Sequence, residues 1–261
     1  IVILDGKKKD SLSRKIDRLS DVRAILYTPE IKEPYSFLDE YLDDGTPLIS
    51  IEDTTAIINL LVDDYEVPEL KALVLAGGKS QRMGHDKGSI NYHGNGQVKH
   101  LYELLTKIGL NTYVSCRKDQ IEEYSGLEIV TDRIMGLGPF GAIFSAFITD
   151  PNVAWLIVPC DLPLLEQEQI DLLIQERNPF RQATAFLNNH TQFPEPLISI
   201  WEPKIYQHMV KFLTLGYSCP RKVLINSDVK LLKTDEQEFM MNANTPEDMK
   251  LAKAILNKQD V

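Results

Sequence analysis

The sequence predicts an α/β fold with a mostly parallel sheet, because apolar strand-like runs alternate along the chain with helix-like segments. Two of these runs, Ala72–Ala76 and Ala154–Val158, are continuously apolar. Such runs are typical of strands that are covered on both faces of a parallel sheet. Each is followed at once by a turn that carries glycines or a carboxylate. Ligands of open α/β sheets bind at the carboxyl ends of the strands, so these two turns are the first candidates for a functional site.

The remaining elements of this larger domain follow from the apolar periodicity after Leu70. The other predicted strands are Asn111–Ser115, Leu127–Thr131, Ala183–Leu187 and Leu197–Trp201. The predicted helices are His100–Ile108, Phe140–Phe147, Gln167–Glu176 and Thr245–Lys258. The last helix has the clearest start, because Thr245 is a good N-cap residue and Pro246 suits the first helical position.

The first 66 residues predict a smaller α/β unit. Its predicted strands are Ile1–Leu4, Val22–Thr28 and Pro47–Ile51, and its predicted helices are Ser11–Leu19 and Glu52–Tyr65. Pro68 interrupts the pattern within Glu66–Glu69, which indicates a linker. We therefore expect a small extension over residues 1–66 and a larger domain over residues 70–261.

The charge balance excludes several kinds of partner. The chain has 28 Lys and Arg against 38 Asp and Glu, which gives a formal net charge of −10 and argues against a nucleic-acid partner. No apolar run approaches the roughly 18 residues that span a membrane, and no secretory signal is visible. Cys116, Cys160 and Cys219 form neither a metal-type pair nor a disulfide framework, so we expect a reducing, cytoplasmic setting.

The first candidate turn, Leu75–Lys87, has the chemistry of a phosphate-binding loop. Gly77 and Gly78 let the backbone approach a ligand closely, and Arg82 and Lys87 add two cations. The spacing matches neither the Walker A loop nor the GxGxxG dinucleotide fingerprint. The alternative interpretation is a tight turn with charges on the surface.

The second candidate turn is Pro159–Pro163, in which Asp161 follows a buried strand between two prolines. Mg²⁺ prefers carboxylate and phosphate oxygens and often takes only one or two ligands from the protein. Asp161 is therefore a candidate Mg²⁺ ligand. The alternative is an aspartate that caps the next turn.

Five segments in order resemble the molybdenum cofactor guanylyltransferases. Leu75–Lys87 resembles the signature LAGGxSxRMGxDK of that family, which has a Rossmann-like, glycosyltransferase-A-like nucleotidyltransferase fold. The other four are Asp132 with Gly138–Ala142, Pro159–Pro163, Pro194–Leu197 and Asn244–Asp248. The resemblance covers residues 70–256, which makes it far more specific than any one motif.

The resemblance implies transfer of GMP from GTP to molybdopterin with release of pyrophosphate. It implies that Leu75, Ala76 and Gly77 contact guanine and ribose through the backbone, and that Gly78 also binds the nucleotide. Lys87 would neutralise phosphate with help from Arg82, and Asp161 would hold Mg²⁺.

The remaining implied contacts lie farther along the chain. Asp132 would take part in nucleoside recognition. Ser115 stands where many members have an asparagine that contacts the nucleotide, so this contact is altered here. Pro196, Leu197 and Asn244 would lie on the pterin side. A molybdoenzyme or another protein of cofactor synthesis would be a transient partner.

Two other functions stay open. Asp86 and the double glycine favour the guanylyltransferases over their cytidylyltransferase relatives, yet a CTP-dependent transferase acting on molybdopterin or a sugar phosphate fits the same motifs. A non-enzymatic cofactor-binding module is the second alternative, and the presence of Arg82, Lys87 and Asp161 argues against it.

The first unit weakly resembles the C-terminal part of the GTP-binding adaptor of molybdenum cofactor synthesis, over Ile1–Lys7 and Pro47–Leu61. The chain has no Walker A loop, and an unrelated α/β extension is the alternative. Because the chain opens on Ile1 rather than Met, we expect a longer parent protein, with an adaptor half.

Four smaller features have structural interpretations. We expect His93–Gly96 to be a turn, Tyr217–Lys222 a solvated loop rather than a contact for the cofactor phosphate, Cys160 a buried thiol, and Trp155 and Trp201 core residues.

Overall fold

The computed structural model describes residues 2–4, 22, 24–29, 45–63, 65–76 and 96–259. It divides into two compact units, Ile1–Glu66 and Val67–Val261. The predicted helix Ser11–Leu19 and residues 93–95 of the predicted His93–Gly96 turn lie outside the described residues. No helix in the described ranges is long and apolar enough to cross a membrane.

The first unit contains a parallel sheet of β1 (Val2–Leu4), β2 (Ile25–Tyr27) and β3 (Leu48–Ser50), with β2 in the middle. Helix α1 (Thr54–Asp63) follows β3, and the Asp53 carboxylate accepts the Ala56 N–H (2.9 Å) at its start. The buried side chains of Ala24, Leu26 and Ile49 pack against the apolar face of α1. These strands confirm three of the predicted elements within a few residues.

The second unit is built on a seven-stranded sheet. Its strands are β4 (Leu70–Leu75), β5 (Asn111–Cys116), β6 (Ile129–Thr131), β7 (Ala154–Pro159), β8 (Ala183–Leu187), β9 (Pro194–Trp201) and β10 (Val229–Leu232). Their order in space is β10-β8-β9-β7-β4-β5-β6. Every neighbouring pair is parallel except the two that involve β9, which runs antiparallel to β7 and β8. The predicted α/β class with a mostly parallel sheet is confirmed.

Helices cover both faces of this sheet. They are α2 (Gln97–Lys107), α3 (Pro139–Thr149), α4 (Gln167–Gln175), α5 (Ile205–Thr214), α6 (Pro220–Ile225) and α7 (Pro246–Gln259). Residues of α2 and α4 share one core cluster, and residues of α3, α5 and α6 share the other. On β4, Ala72 and Val74 belong to the first cluster and Leu73 and Leu75 to the second, because side chains alternate along a strand.

Two α-helices and one strand of this unit were absent from the prediction: α5, α6 and β10. The prediction of a loop over Tyr217–Lys222 is wrong in its second half, since α6 begins at Pro220, a residue suited to the first helical turn. Val223 and Leu224 of α6 are buried, and this packing stabilises the helix. The helix is too short to give a recognisable apolar periodicity in the sequence. The predicted core positions of Trp155 and Trp201 and the buried thiol of Cys160 are confirmed.

The topology concentrates loop ends at one edge of the sheet. Strands β4 to β8 run in the same direction, so the turns that follow them meet at their carboxyl edge. Because β9 is antiparallel, its first residues also lie there, as the pairing of Leu187 with Pro194 shows. This edge carries the site described next.

Candidate active site

The centre of the site is the carboxyl end of β4, which is tied to both neighbouring strands. The Ala76 N–H donates to the Ser115 carbonyl of β5 (3.0 Å), and the Cys160 N–H after β7 donates to the Leu75 carbonyl (3.3 Å). Leu75 and Ala76 are both buried. The structure therefore brings the ends of three parallel strands together at the first candidate turn.

Ser115 and Asp132 form a hydrogen-bonded pair beside this centre. The Ser115 Oγ donates to the Asp132 Oδ1 (2.9 Å), and the Asp132 N–H donates to the Cys116 carbonyl (3.0 Å). Ser115 is 1% exposed, whereas Asp132 is partly buried. The pairing fixes both the backbone and the carboxylate of Asp132 against the end of β5.

Burial raises the pKa of the Asp132 carboxyl, and the hydrogen bond from Ser115 and the charge of Arg117 act in the opposite direction. The neighbouring Cys116 thiol has a pKa raised to about 11, first by burial and then by the negative charge of Asp132. Thiolate is the reactive form of cysteine, so Cys116 is a core thiol rather than a nucleophile.

The turn after Asp132 packs closely against the start of α3, and the glycines of Gly138–Ala142 make this packing possible. Gly138 has φ 57° and ψ −143°, a conformation that suits glycine, and Pro139 begins α3. A Cβ on Gly141 would lie 2.7 Å from the Ile134 carbonyl oxygen, so α3 touches the backbone of the turn. The Ser145 Oγ accepts the Arg133 N–H (2.8 Å) and donates to the Gly141 carbonyl (2.6 Å). Ser145 was missed from the sequence because a serine in an apolar helix gives no signal.

Asp161 lies in the turn after β7, where long-range hydrogen bonds hold the backbone. Its carbonyl accepts the Ala243 N–H (2.9 Å), and the next carbonyl, that of Leu162, accepts the Gln97 Nε2 (3.3 Å). The first of these bonds brings Asn244 next to the turn. The Asn244 and Thr245 N–H groups both donate to the Asp248 carboxylate (3.1 and 2.9 Å), and the Asp248 N–H donates to the Thr245 Oγ1 (3.1 Å). Thr245 therefore caps α7, which begins at Pro246, as the sequence predicted.

The start of β9 adds a charged pair to this edge. The Glu195 Oε2 lies 3.5 Å from the Arg221 Nη2. Burial raises the pKa of the Glu195 carboxyl, Arg221 and a hydrogen bond from the Asn188 side chain lower it, and the charge of Asp161 raises it further. Glu195 therefore lies within electrostatic reach of Asp161, although the two are far apart in the sequence.

Pro196 and Leu197, the next two residues of β9, are tied to the core. The Pro196 carbonyl accepts the Ser199 Oγ (2.7 Å) and the Trp201 Nε1 (3.3 Å), and Leu197 packs against the core cluster that contains α3. Pro196 and Leu197 are predicted site residues, whereas Glu195 and Arg221 entered the prediction only as members of the segments Pro194–Leu197 and Tyr217–Lys222. Their proximity comes from the antiparallel insertion of β9 and from α6, neither of which the sequence predicted.

The carboxylate oxygens at this edge suit a hard cation that is also coordinated by phosphate oxygens. Within the described ranges, no group of three or more metal-ligating side chains is present. Asp161 offers carboxylate oxygens without a complete protein cage. That set fits Mg²⁺, which keeps water and phosphate oxygens as its other ligands.

Gly77, Gly78, Arg82 and Lys87 lie outside the described residues. The described chain leaves this edge at Ala76 and resumes at Gly96, just before α2. Their predicted contacts with the nucleotide therefore stay predictions.

The family of MobA-like NTP transferase domains matches residues 72–229, which includes every strand of the large sheet from β5 to β9. The chain belongs to this family. It is therefore a nucleotidyltransferase, and the resemblance and enzyme class predicted from the sequence are confirmed.

Individual relatives agree with the family assignment. The molybdenum cofactor biosynthesis bifunctional protein of Synechocystis is 35% identical over 71% of this chain, and the chain spans 54% of its length. The molybdenum cofactor guanylyltransferase of Pseudomonas aeruginosa PAO1 is 29% identical over 70% of this chain and 94% of its own. The structure of molybdopterin-guanine dinucleotide biosynthesis protein A from Archaeoglobus fulgidus has a TM-score of 0.60 at 21% identity, covering 72% of this chain and 99% of its own. The last comparison supports the transferase fold.

Proposed function

We propose that the chain transfers GMP from GTP to molybdopterin and releases pyrophosphate. The observation that carries this proposal is the meeting of Ala76, the Ser115–Asp132 pair and Asp161 at one sheet edge. The names of the relatives supply the substrates: molybdenum cofactor guanylyltransferase names the group that is transferred and the cofactor that receives it.

The nucleoside would lie between the ends of β4, β5 and β6. Guanine presents N–H donors and ribose presents hydroxyls, and the ionised Asp132 carboxylate only accepts hydrogen bonds. Ser115 holds Oδ1 and leaves Oδ2 as the oxygen best placed for a ligand. Leu75 and Ala76 would contact the nucleoside through the backbone, and Gly77 and Gly78 would continue that surface.

The triphosphate would lie between the glycine-rich loop and Asp161. We assign phosphate neutralisation to Lys87 and Arg82, and the metal to Asp161. A divalent metal, which we take to be Mg²⁺, would supply Lewis-acid charge stabilisation at the phosphates when bound. The protein's own contribution is to align the acceptor phosphate with the α-phosphate and to stabilise the charge that develops there.

The acceptor would approach from the side of β9 and α7. Asn244 follows Ala243, whose N–H donates to the Asp161 carbonyl. The charge of Asp161 also acts on Glu195, which lies within Pro194–Leu197. A transient contact with a molybdoenzyme would deliver the product, and the proposed setting is the cytoplasm.

The decisive experiment measures pyrophosphate release with GTP, molybdopterin and Mg²⁺. Asp161→Ala should abolish the Mg²⁺-dependent release, whereas Asp171→Ala on α4 is the matched control and should retain it. Lys87→Ala should mainly raise the dissociation constant for GTP. Substantial turnover by Asp161→Ala would remove the metal assignment.

Base choice is tested by thermal shift with Mg²⁺ and each of GTP, CTP, ATP and UTP at equal concentration, since a bound ligand raises the melting temperature. The proposal expects the largest increase with GTP. A larger increase with CTP would support the CTP-dependent alternative. Nucleotide binding without pyrophosphate release would support the cofactor-binding module.

We also propose that residues 1–66 and 70–261 are separate domains, and that the first is a remnant of an adaptor domain. The division into two compact units supports this proposal. Limited proteolysis should cut first near Glu66 and leave a stable C-terminal fragment. Initial cleavage inside residues 96–259 would contradict it.

A further inference from the structure

Gln97 is a polar residue in an apolar position. It is the first residue of α2 and is 0% exposed, and the helix buries Val98, Leu101 and Leu105 beside it. Long polar side chains are seldom fully buried unless a specific partner holds them. Apolar packing alone therefore does not explain a glutamine at this position.

One end of the Gln97 amide has such a partner. Its Nε2 donates to the Leu162 carbonyl oxygen (3.3 Å), which also accepts the Leu165 N–H (3.4 Å). A carbonyl can only accept, so the nitrogen of the amide must face Leu162 and the oxygen must point away from it. This fixes the orientation of the amide.

The other end lacks a partner among the described residues. The Gln97 Oε1 is buried and has no hydrogen-bond donor within the described ranges. An unsatisfied buried acceptor costs about 1–3 kcal/mol of stability. An apolar side chain of the same length would avoid this cost, so the contacts of the described residues give glutamine no advantage in stability here.

The Gln97 bond acts on the turn that presents Asp161. Three consecutive residues of this turn are held by separate parts of the fold. The Cys160 N–H donates to Leu75 in β4, the Asp161 carbonyl accepts from Ala243 before α7, and the Leu162 carbonyl accepts from Gln97 at the start of α2. The first two bonds are backbone to backbone, and Gln97 supplies a side-chain bond.

We propose that Gln97 is a positioning residue for Asp161 in the transfer reaction. This inference rests on the proposed function, in which Asp161 holds the divalent metal. Gln97 touches neither substrate nor metal in this assignment. It fixes the backbone on the C-terminal side of Asp161, and thereby the direction in which the carboxylate meets the metal-bound triphosphate. A displacement of about 1 Å at such a group can lower the rate about a hundredfold.

Gln97→Met tests the inference, because methionine keeps the length of the side chain but has no N–H donor. Thr184→Val is the matched control. Thr184 is also 0% exposed, and its Oγ1 accepts the Asn178 N–H (3.1 Å) at the opposite edge of the sheet. Both variants are made in the full chain, and the melting temperature, the kinetics of pyrophosphate release and the thermal shift with GTP are measured.

We expect Gln97→Met to melt at or above the temperature of the wild type. Its kcat should fall at least about tenfold while the KM for GTP changes less than about threefold, the pattern of a lost transition-state interaction. The part of the GTP-induced thermal shift that depends on Mg²⁺, measured against the same shift in EDTA, should shrink. Thr184→Val should lower the melting temperature and leave kcat and the Mg²⁺-dependent shift unchanged.

Two results overturn the inference. One is a Gln97→Met variant that keeps the wild-type kcat and Mg²⁺-dependent shift. The other is one that fails to fold or melts well below the wild type, since the inference requires the amide to be dispensable for stability. A wild-type protein without GTP-dependent pyrophosphate release is a different outcome, because it removes the proposed function itself.

Discussion

Ser115 donates a hydrogen bond to Asp132 across the ends of two neighbouring parallel strands, with 2.9 Å between Oγ and Oδ1. The serine is buried, and its carbonyl also accepts the Ala76 N–H. Its hydroxyl is thus engaged with the carboxylate. In the proposed function, Ser115 would therefore act on the nucleotide through Asp132.

Ser115→Ala should weaken GTP binding. The hydroxyl bonds an ionised group, and such a hydrogen bond contributes about 1.5–3 kcal/mol, which corresponds to roughly a tenfold to hundredfold larger dissociation constant if the whole effect appears in binding. Isothermal titration calorimetry measures the change. Ser227→Ala, which removes a hydroxyl bonded to the Val223 carbonyl in α6, is the control and should bind GTP normally. Equal affinities for wild type and Ser115→Ala would contradict the role given to Ser115.

Asp132→Asn should change how stability depends on pH. Burial raises the pKa of Asp132, so the folded state holds this proton more tightly than the unfolded chain, whose aspartates titrate near about 3.9. Tighter binding of this proton stabilises the folded state at low pH. The free energy of unfolding therefore decreases as pH rises from the unfolded pKa through the folded pKa.

Asp132→Asn has no titrating group at this position, so its free energy of unfolding should lack this decrease with pH. At neutral pH it should be at least as stable as the wild type. It should bind GTP more weakly, because a neutral amide is a weaker hydrogen-bond acceptor for guanine and ribose than a carboxylate. Urea unfolding at a series of pH values, with GTP titrations at neutral pH, measures both effects. An identical pH dependence in the two proteins would show that Asp132 does not titrate differently on folding.

Gly141→Ala should destabilise the protein and disturb the site. The new Cβ would meet the Ile134 carbonyl oxygen at 2.7 Å, so the backbone of the turn after Asp132 must move. Overpacking of this kind costs about 1–3 kcal/mol. Gly109→Ala is the control: its φ of 94° makes alanine unfavourable, but no atom lies within 4 Å of the new Cβ. Both variants should melt earlier in a thermal scan, and only Gly141→Ala should lose affinity for GTP.

Glu202→Ala should be the most destabilising of these changes. The Glu202 carboxylate is fully buried and accepts two hydrogen bonds from Arg177 (2.7 and 2.9 Å), whose Nη2 also donates to the Pro68 carbonyl (2.8 Å). Removing one partner of a buried pair costs about 3–5 kcal/mol, because the other charge stays buried. Urea unfolding measures the loss.

The double variant Arg177→Met with Glu202→Met separates the cost of an orphaned charge from the value of the pair. It should recover part of the stability that Glu202→Ala loses. The pair lies at the edge of the sheet opposite Asp161, so the KM for GTP should not change. A double variant less stable than either single one would contradict this account.

The sequence was sufficient to predict the elements that are marked by residues close together in the chain. The apolar run at Ala154–Val158 marks a buried strand, the turn after it contains Asp161, and Thr245 with Asp248 marks the start of the last helix. Each of these signals depends on residues that are close together in the chain. The family motifs strengthen these predictions, because the motifs lie at the ends of the same strands.

The sequence was insufficient where distant segments meet. The charge of Asp161 acts on Glu195 because β9 is inserted antiparallel between β7 and β8, and the residues of β9 do not by themselves specify which strands it pairs with. Helices α5 and α6 were missed because short helices owe their stability to packing rather than to a clear period. Gly141 was noted only as part of a motif, and its close contact with Ile134 appears only in the folded chain.

The sequence by itself determined the α/β class, the nucleotidyltransferase family and the positions of the turns that carry Asp132 and Asp161. The tertiary structure decided what holds those carboxylates. Ser115 lies in β5 and Asp132 follows β6, and Gln97 and Leu162 are 65 residues apart. The physical reason is that a carboxylate's identity is local, whereas its orientation and pKa depend on burial and on donors brought by the rest of the fold.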